Sequence, residues 1–254
     1  MGWLVGILVI ILVAPFLGYG RYYEPRQLEV KEVDISNKLG MKLVHFSDLH
    51  YGRGFSHKAL VQVVNEINDV EKDIVVFSGD LFANTFDDDL EPLIHELSRI
   101  DYDYKYAVYG NHDYKKFAKK NFEKVMKASG FIILKDDQET ISIDHKTINI
   151  VGTDDFRESQ PDIELLHSFN KQEVDYSILI VHEPDIADEF VNDNYDLILS
   201  GHTHGGQVKL PYDIRGTTKL GRNYIDGLYE LDHDIKLYVS SGLGSAVFRF
   251  RFRV

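Results

Sequence analysis

The chain has 254 residues, 44% apolar and 12% aromatic, enough for one large globular domain. Its 28 Lys and Arg against 41 Asp and Glu leave a formal charge of −13, which argues against a nuclease or any other phosphate-backbone binder. It leaves room for small phosphorylated substrates, because bound divalent ions reverse the local sign. The absence of cysteine excludes disulfides and thiolate-held metal, so any metal would be held by oxygen and imidazole, a donor set suited to Mn, Fe or Zn.

Trp3 to Tyr19 is an almost unbroken apolar run, with no charged side chain before Arg21. Its length sits at the lower edge of a bilayer span, and it lacks the basic start and small-x-small site of a signal peptide. Residues 1–20 therefore read as a single membrane anchor and 21–40 as a charged connector around Pro25, leading into a domain over 41–254. Arg21, Arg26, Lys31, Lys38 and Lys42 follow the run, and by the positive-inside rule they put the domain on the cytoplasmic side of the cell membrane.

Met41–Phe46 reads as a first buried strand, ending in Ser47-Asp48-Leu49-His50. Helical spacing over His57–Val70 precedes a second strand, Asp73–Ser78, which ends in Gly79-Asp80. A helix over Leu90–Ile100 leads to a third strand, Tyr104–Tyr109, ending in Gly110-Asn111-His112-Asp113, and a helix over Lys115–Ala128 follows. Strands ending in polar clusters and alternating with helices predict an α/β domain with its site at the carboxyl ends of the strands.

Past Gly130 the texture changes. Phe131–Leu134, Thr140–Ile143 and Thr147–Val151 are short, with no room for helices between them, which predicts antiparallel pairing. Tyr176–Val181 returns as a strand ending in His182, followed by a short helix around Asp185–Val191. Asp196–Leu199 runs into Ser200-Gly201-His202-Thr203-His204-Gly205-Gly206-Gln207. Two histidines past a strand end, with glycines on either side, are poor core filler and good metal ligands. Ile235–Ser240 and Ala246–Arg253 complete the strands. In the last of these, Arg249, Arg251 and Arg253 would share one face, as edge protection or as a patch for an anionic head group.

Four strand ends and one loop thus carry Asp48, His50, Asp80, Asn111, His112, His182, His202 and His204. A metal pair needs a carboxylate that touches both ions, and Asp80, between a glycine and a loop, is best placed to do so. Asn111 could add a neutral amide oxygen. The six other histidines match no pattern, and packing or surface roles are expected for them. Asp154-Asp155-Phe156-Arg157 reads equally as a solvated turn or a substrate-facing loop.

Taken together, Asp48-Leu49-His50, Gly79-Asp80, Gly110-Asn111-His112-Asp113, His182 and Gly201-His202-Thr203-His204 resemble the five ordered signatures of the calcineurin-like metallophosphoesterases, over roughly residues 41 to 245. The resemblance implies a four-layer α/β/β/α sandwich of two mixed sheets. It also implies one metal on Asp48, His50, Asp80 and His204, and a second on Asp80, Asn111, His182 and His202. His112 would act on the leaving group without binding metal. Many members carry an Asp three residues after the bridging one; here Ala83 and then Asn84 stand there. The implied activity is hydrolysis of a phosphodiester or pyrophosphate. The apolar start, His182-Glu183-Pro184-Asp185 and the His-rich loop look like a bacterial membrane-associated branch. That branch is similar to enzymes acting on envelope lipids, including UDP-diacylglucosamine pyrophosphate hydrolases. A general or cyclic-nucleotide phosphodiesterase on soluble substrates and a non-catalytic, metal-stabilised scaffold are the alternatives. The substrate-binding residues are not legible.

Overall fold

The structure is a computed structural model. It describes residues 3, 11, 13–35, 40–52, 55–83, 89–115, 118–169, 173–192, 195–211, 214–245 and 250–254. Its first sheet holds β1 (Leu43–Phe46), β2 (Ile74–Phe77), β3 (Lys105–Ala107) and β4 (Ile132–Ile133), in that spatial order. The crossovers carry α1 (His57–Asp69), α2 (Glu91–Ser98) and α3 (Ala118–Ala128), as the helical spacing predicts. Ser56 starts α1 by accepting a hydrogen bond from the Ala59 amide at 3.2 Å, satisfying one of the donors a helix start leaves open.

The second sheet follows in sequence. It is built from β5 (Asp137–Ile143), β6 (Lys146–Gly152), β7 (Tyr176–Ile180), β8 (Leu197–Ser200), β11 (Gly227–Glu230) and β12 (Lys236–Val239), in the order β11-β12-β8-β7-β6-β5. It is mixed: β5 and β11 run antiparallel to their neighbours, and the other pairs are parallel. Asp144 and His145, both at positive φ, make the two-residue turn that fixes the β5–β6 register at Ile143 opposite Lys146.

Side-chain alternation divides these strands among three cores. Val75 and Phe77 face the helices, packing with Leu60, Val64, Leu97 and Phe122. Ile74 and Val76 point the other way, into a layer shared with Ile150, Ile178 and Leu199 of the second sheet. The outer face of that sheet, through Val151, Leu179, Ile198 and Leu237, is covered by Leu166 of α4 (Ile163–Phe169) and by Phe190 of the 3₁₀ turn Pro184–Phe190. The result is the α/β/β/α sandwich, and it explains why β2 reads as a continuous apolar run: both of its faces are covered.

Two sequence expectations change, several elements were not anticipated, and one expected strand falls partly outside the described residues. The first sheet is parallel throughout, not mixed. Phe131–Leu134 was expected to pair antiparallel, but Ile132 and Ile133 pair parallel with β3, because α3 supplies a crossover just before them. Helix α4, strand β11 and the ribbon of β9 (Lys209–Leu210) with β10 (Ile214–Arg215) had no clear sequence signal. In the expected strand Ala246–Arg253, residues 246–249 lie outside the described set, and the remainder makes one bridge, Phe252 to Val208.

Among the described residues no helix is long and apolar enough to cross a membrane. Half of the anchor expected over residues 1–20 lies outside them; within it, residues 13–18 are helical and lead into Tyr19–Tyr23. The following segment packs onto the domain, Leu28 against the helix-side core and Ile35 against the inter-sheet core.

Candidate metal centre

Strand ends of both sheets meet at one edge of the sandwich. Asp48 and His50 follow β1, Asp80 follows β2, and Asn111 and His112 follow β3; His182 follows β7, and His202 and His204 follow β8. The parallel pairing continues beyond the strands, with the Asp48 amide bonded to Gly79 O at 2.9 Å and that of His50 to Asp80 O at 3.1 Å. From the second sheet, the His202 amide reaches the Asp48 carboxylate at 3.0 Å.

Close approach between these loops needs glycine. A Cβ on Gly79, whose φ is +95°, would lie 2.6 Å from the Gly110 nitrogen and 2.7 Å from His182 Nδ1. A Cβ on Gly110 would collide with the Asp80 carboxylate. Asp48, His50, Asp80, His202 and His204 all have φ between 45° and 73°. Each such non-glycine residue costs of order 1–3 kcal/mol, the kind of strain that folds hold at functional sites.

Three overlapping groups of donors result: Asp48, His50 and His204; His50, Asp80 and His112; and Asp80, His182 and His202, with the ligand atoms of each group within 4.8 Å of one another. Asp80 Oδ2 lies 3.5 Å from His50 Nε2 and 3.4 Å from His182 Nε2. His204 Nε2 lies 3.0 Å from His50 Nε2 and 3.5 Å from Asp48 Oδ1. Metal–nitrogen bonds near 2.1 Å give donor–donor edges of about 3.0 Å in an octahedron and about 3.4 Å in a tetrahedron, so these spacings fit a divalent ion. The Asn111 side-chain oxygen is buried with no hydrogen-bond partner among the described residues. A cation is the partner such an atom accepts.

The surroundings orient the rings. Ser78 O accepts from His182 Nδ1 at 2.6 Å, leaving Nε2 for the centre. Lys219 O accepts from His202 Nε2 at 2.8 Å, leaving Nδ1. Carbonyls behind ligating histidines set the tautomer in this way. Burial pushes His50, His202 and His204 down to about 3, so these rings are neutral and their lone pairs are available. His182 is also buried, but the facing Asp80 carboxylate overcomes that and raises it well above the ordinary value. Burial disfavours the Asp80 charge as well, yet His182 and the other imidazoles hold its carboxyl well below the usual range.

Asp113 emerges with a function its place in the motif did not disclose. Its carboxylate accepts the amides of Asp80 at 2.8 Å, Leu81 at 2.9 Å and Gly110 at 3.0 Å, tying the loops after β2 and β3 together. His112 is less buried than the rest: its amide reaches Asp80 Oδ1 at 2.7 Å, its ring centroid is 4.7 Å from that of His50, and its Nε2 is 3.5 Å from Lys115 Nζ. Asp154 and Asp155 are buried, not solvated. Asp155 Oδ1 accepts the amides of Arg157 and Glu158, and Asp154 accepts the hydroxyls of Tyr114 and Ser159. Ala83 is buried, while Asn84 lies outside the described residues.

A two-sheet sandwich with acid, amide and imidazole donors at its shared strand ends defines a metal-dependent phosphoester hydrolase. The chain belongs to the calcineurin-like phosphoesterase family, whose model matches residues 41–206. It is similar to the Bacillus subtilis protein described as an uncharacterized metallophosphoesterase, YkuE, at 35% identity over 92% of this chain and 85% of that one. It is also similar to the Escherichia coli phosphodiesterase YaeI, at 25% identity over 90% of this chain and 86% of that one. Among solved structures, a hypothetical protein from Thermus thermophilus superposes with a TM-score of 0.53 at 14% identity, covering 82% of this chain and 81% of that one, which shows the shared fold.

The charge state of His182 sets a pH dependence. Metal ligation needs its neutral ring, whereas the Asp80 carboxylate raises the pKa of that ring and so favours its protonated form in the metal-free protein. Loading the site must therefore expel the proton, so affinity rises with pH up to the His182 pKa and falls as pH drops below it. Calorimetry of Mn²⁺ binding at pH 7, in buffers of different ionisation enthalpy, should detect about one proton released per site. Release of none would mean that His182 is already neutral.

Proposed function

We propose that the chain hydrolyses a phosphodiester or pyrophosphate with two divalent ions, Mn, Fe or Zn, and that its substrate is a lipid at the membrane surface. The observation that carries the two-ion reading is the position of Asp80. Its Oδ2 faces His50 from the first sheet and His182 from the second at nearly equal distances, 3.5 and 3.4 Å. Asp48, His50, Asp80 and His204 would hold one ion, and Asp80, Asn111, His182 and His202 the other. When bound, the ions supply an activated water and neutralise charge on the phosphoryl oxygens.

The remaining chemistry belongs to the chain. Asp113 holds the Asp80 backbone so that its carboxylate stays between the two donor groups. His112, at the more open side of the cluster, donates a hydrogen bond to the leaving oxygen as charge develops there. Lys115 beside it adds a positive charge on the same side. Depth at the carboxyl ends of the strands keeps the reacting centre away from bulk water.

Support for a membrane substrate comes from the N-terminus. The apolar run Trp3 to Tyr19 is followed by Arg21, and Leu17, Tyr19, Tyr22 and Tyr23 are exposed. Aromatic and basic residues at the end of an apolar helix suit a bilayer interface. This reading puts the domain at the cytoplasmic face of the cell membrane, with no nucleic acid among its partners.

Asp80→Asn should abolish turnover and leave the fold largely intact, with at least one ion lost from the purified protein. Two retained ions and a wild-type rate would sink the two-ion reading. His112→Ala should keep both ions and slow turnover by about 10²–10⁴, less for a nitrophenolate leaving group. Loss of metal in that variant would instead make His112 a ligand, a role its grouping with His50 and Asp80 also allows. The full chain should hydrolyse a lipid-linked phosphodiester or pyrophosphate in vesicles faster than bis(nitrophenyl) phosphate or a cyclic nucleotide. Preference for the soluble esters would transfer the assignment to a general phosphodiesterase.

A further inference from the structure

The last described residues are not a free tail. Phe252 bridges Val208, donating its amide to Gln207 O at 3.1 Å and accepting that of Lys209 at 2.9 Å, just beyond His204. Between the aromatic residues, Arg251 turns inward and is 6% exposed. Its guanidinium donates to Gly242 O at 2.7 Å, Gly244 O at 2.8 Å and Ser241 O at 3.0 Å. One planar fork thus holds three carbonyls within residues 241–244, a loop that has no regular structure of its own.

That loop is the backing of Asp48. The Gly244 amide donates to Asp48 O at 2.7 Å and that of Leu243 to Ser47 O at 3.1 Å. A Cβ on Gly242 would lie 2.8 Å from the Asp48 Cβ. On its outer side, the segment around Arg251 is held by the end of the N-terminal helix. Gly20 O accepts the Arg251 amide at 2.9 Å, and the Phe16 ring lies 5.5 Å from that of Phe250 and 4.6 Å from that of Phe252. A side chain at Gly20 would strike the Phe250 ring. The Val254 amide donates to Glu24 Oε1 at 3.0 Å, closing the clasp.

We propose that Arg251 is a positioning residue for the metal centre, and that the docked end of the N-terminal helix, through Phe16 and Gly20, keeps it in place. The proposal rests on the reading of Asp48 as a ligand. The apolar N-terminal segment is then coupled to the site itself, for any substrate, soluble or lipid. The expectation that Arg249, Arg251 and Arg253 share an outward face gives way for Arg251, whose charge is used internally, while Arg249 lies outside the described residues.

The test compares full-length wild type with Phe16→Ala, Arg251→Met, Arg251→Lys and, as a remote control, Ile141→Ala. Amide exchange of Leu243 and Gly244 is measured in the metal-free protein, followed by Mn²⁺ affinity. Phe16→Ala and Arg251→Met should accelerate exchange at those two amides and weaken Mn²⁺ binding by about 10–100-fold, the range for groups that hold a ligand from behind. Arg251→Lys should recover part of both. Ile141 is buried in the edge strand β5, so Ile141→Ala should lower the thermal midpoint without touching the clasp and leave both as in wild type. Wild-type exchange and affinity in Phe16→Ala, or equal loosening by Ile141→Ala, overturns the proposal. Should Arg251→Met fail to fold, Phe16→Ala and Arg251→Lys decide the matter. Wild type binding fewer than two Mn²⁺ would count against the two-ion reading alone, because exchange in metal-free protein judges the clasp independently.

Discussion

The Asp80 carboxylate, enclosed by His50 and His182, is the constraint around which the site is built. Bringing an anion, several imidazoles and their lone pairs together without water is unfavourable unless protons or cations compensate. In the metal-free protein the Asp80 carboxylate offsets the burial of His182 and raises its pKa well above the ordinary imidazole value, which favours a proton there. The same cluster is far better matched by divalent ions, whose charge the neutral rings of His50, His202 and His204 can share without first losing protons of their own.

The fold serves this constraint through two sheets rather than one. Each sheet contributes strand ends to one edge, and the inter-sheet core of Ile74, Val76, Ile150, Ile178 and Leu199 holds the two sets at fixed separation. Glycines where the loops touch, and left-handed Asp and His residues within them, let donors from different strands point inward. Asp and His tolerate that backbone region better than most residues, since short polar side chains bond locally there. The strain is sustained by Asp113 from below and by the Arg251 loop from the side.

The apolar N-terminus and the strap of Phe250 to Val254 belong to the same mechanical unit. At the described end of the apolar run, the Phe16 ring packs against those of Phe250 and Phe252 in the strap. The cleft is thereby held in a defined place relative to that helix end, with Leu28 and Ile35 packed against the cores along the way.

What the sequence determined by itself is local. Apolar runs ending in Asp-x-His, Gly-Asp, Gly-Asn-His-Asp and Gly-His-x-His announce strands with donors at their carboxyl ends, because strand burial and loop chemistry are both short-range properties. The helical spacing of α1 and α3 is visible for the same reason. Tertiary structure decided which donors meet: the 3.4 Å contact between Asp80 and His182 joins residues 102 positions apart, and no local pattern encodes such a distance. It also decided that Ile132–Ile133 pairs parallel, since a two-residue strand takes its direction from the helix that delivers it. Arg251 is the sharpest case. Its alternation with phenylalanines predicts a face, but whether that face meets solvent or the carbonyls behind Asp48 depends on where the N-terminal helix docks, and long-range packing alone settles that.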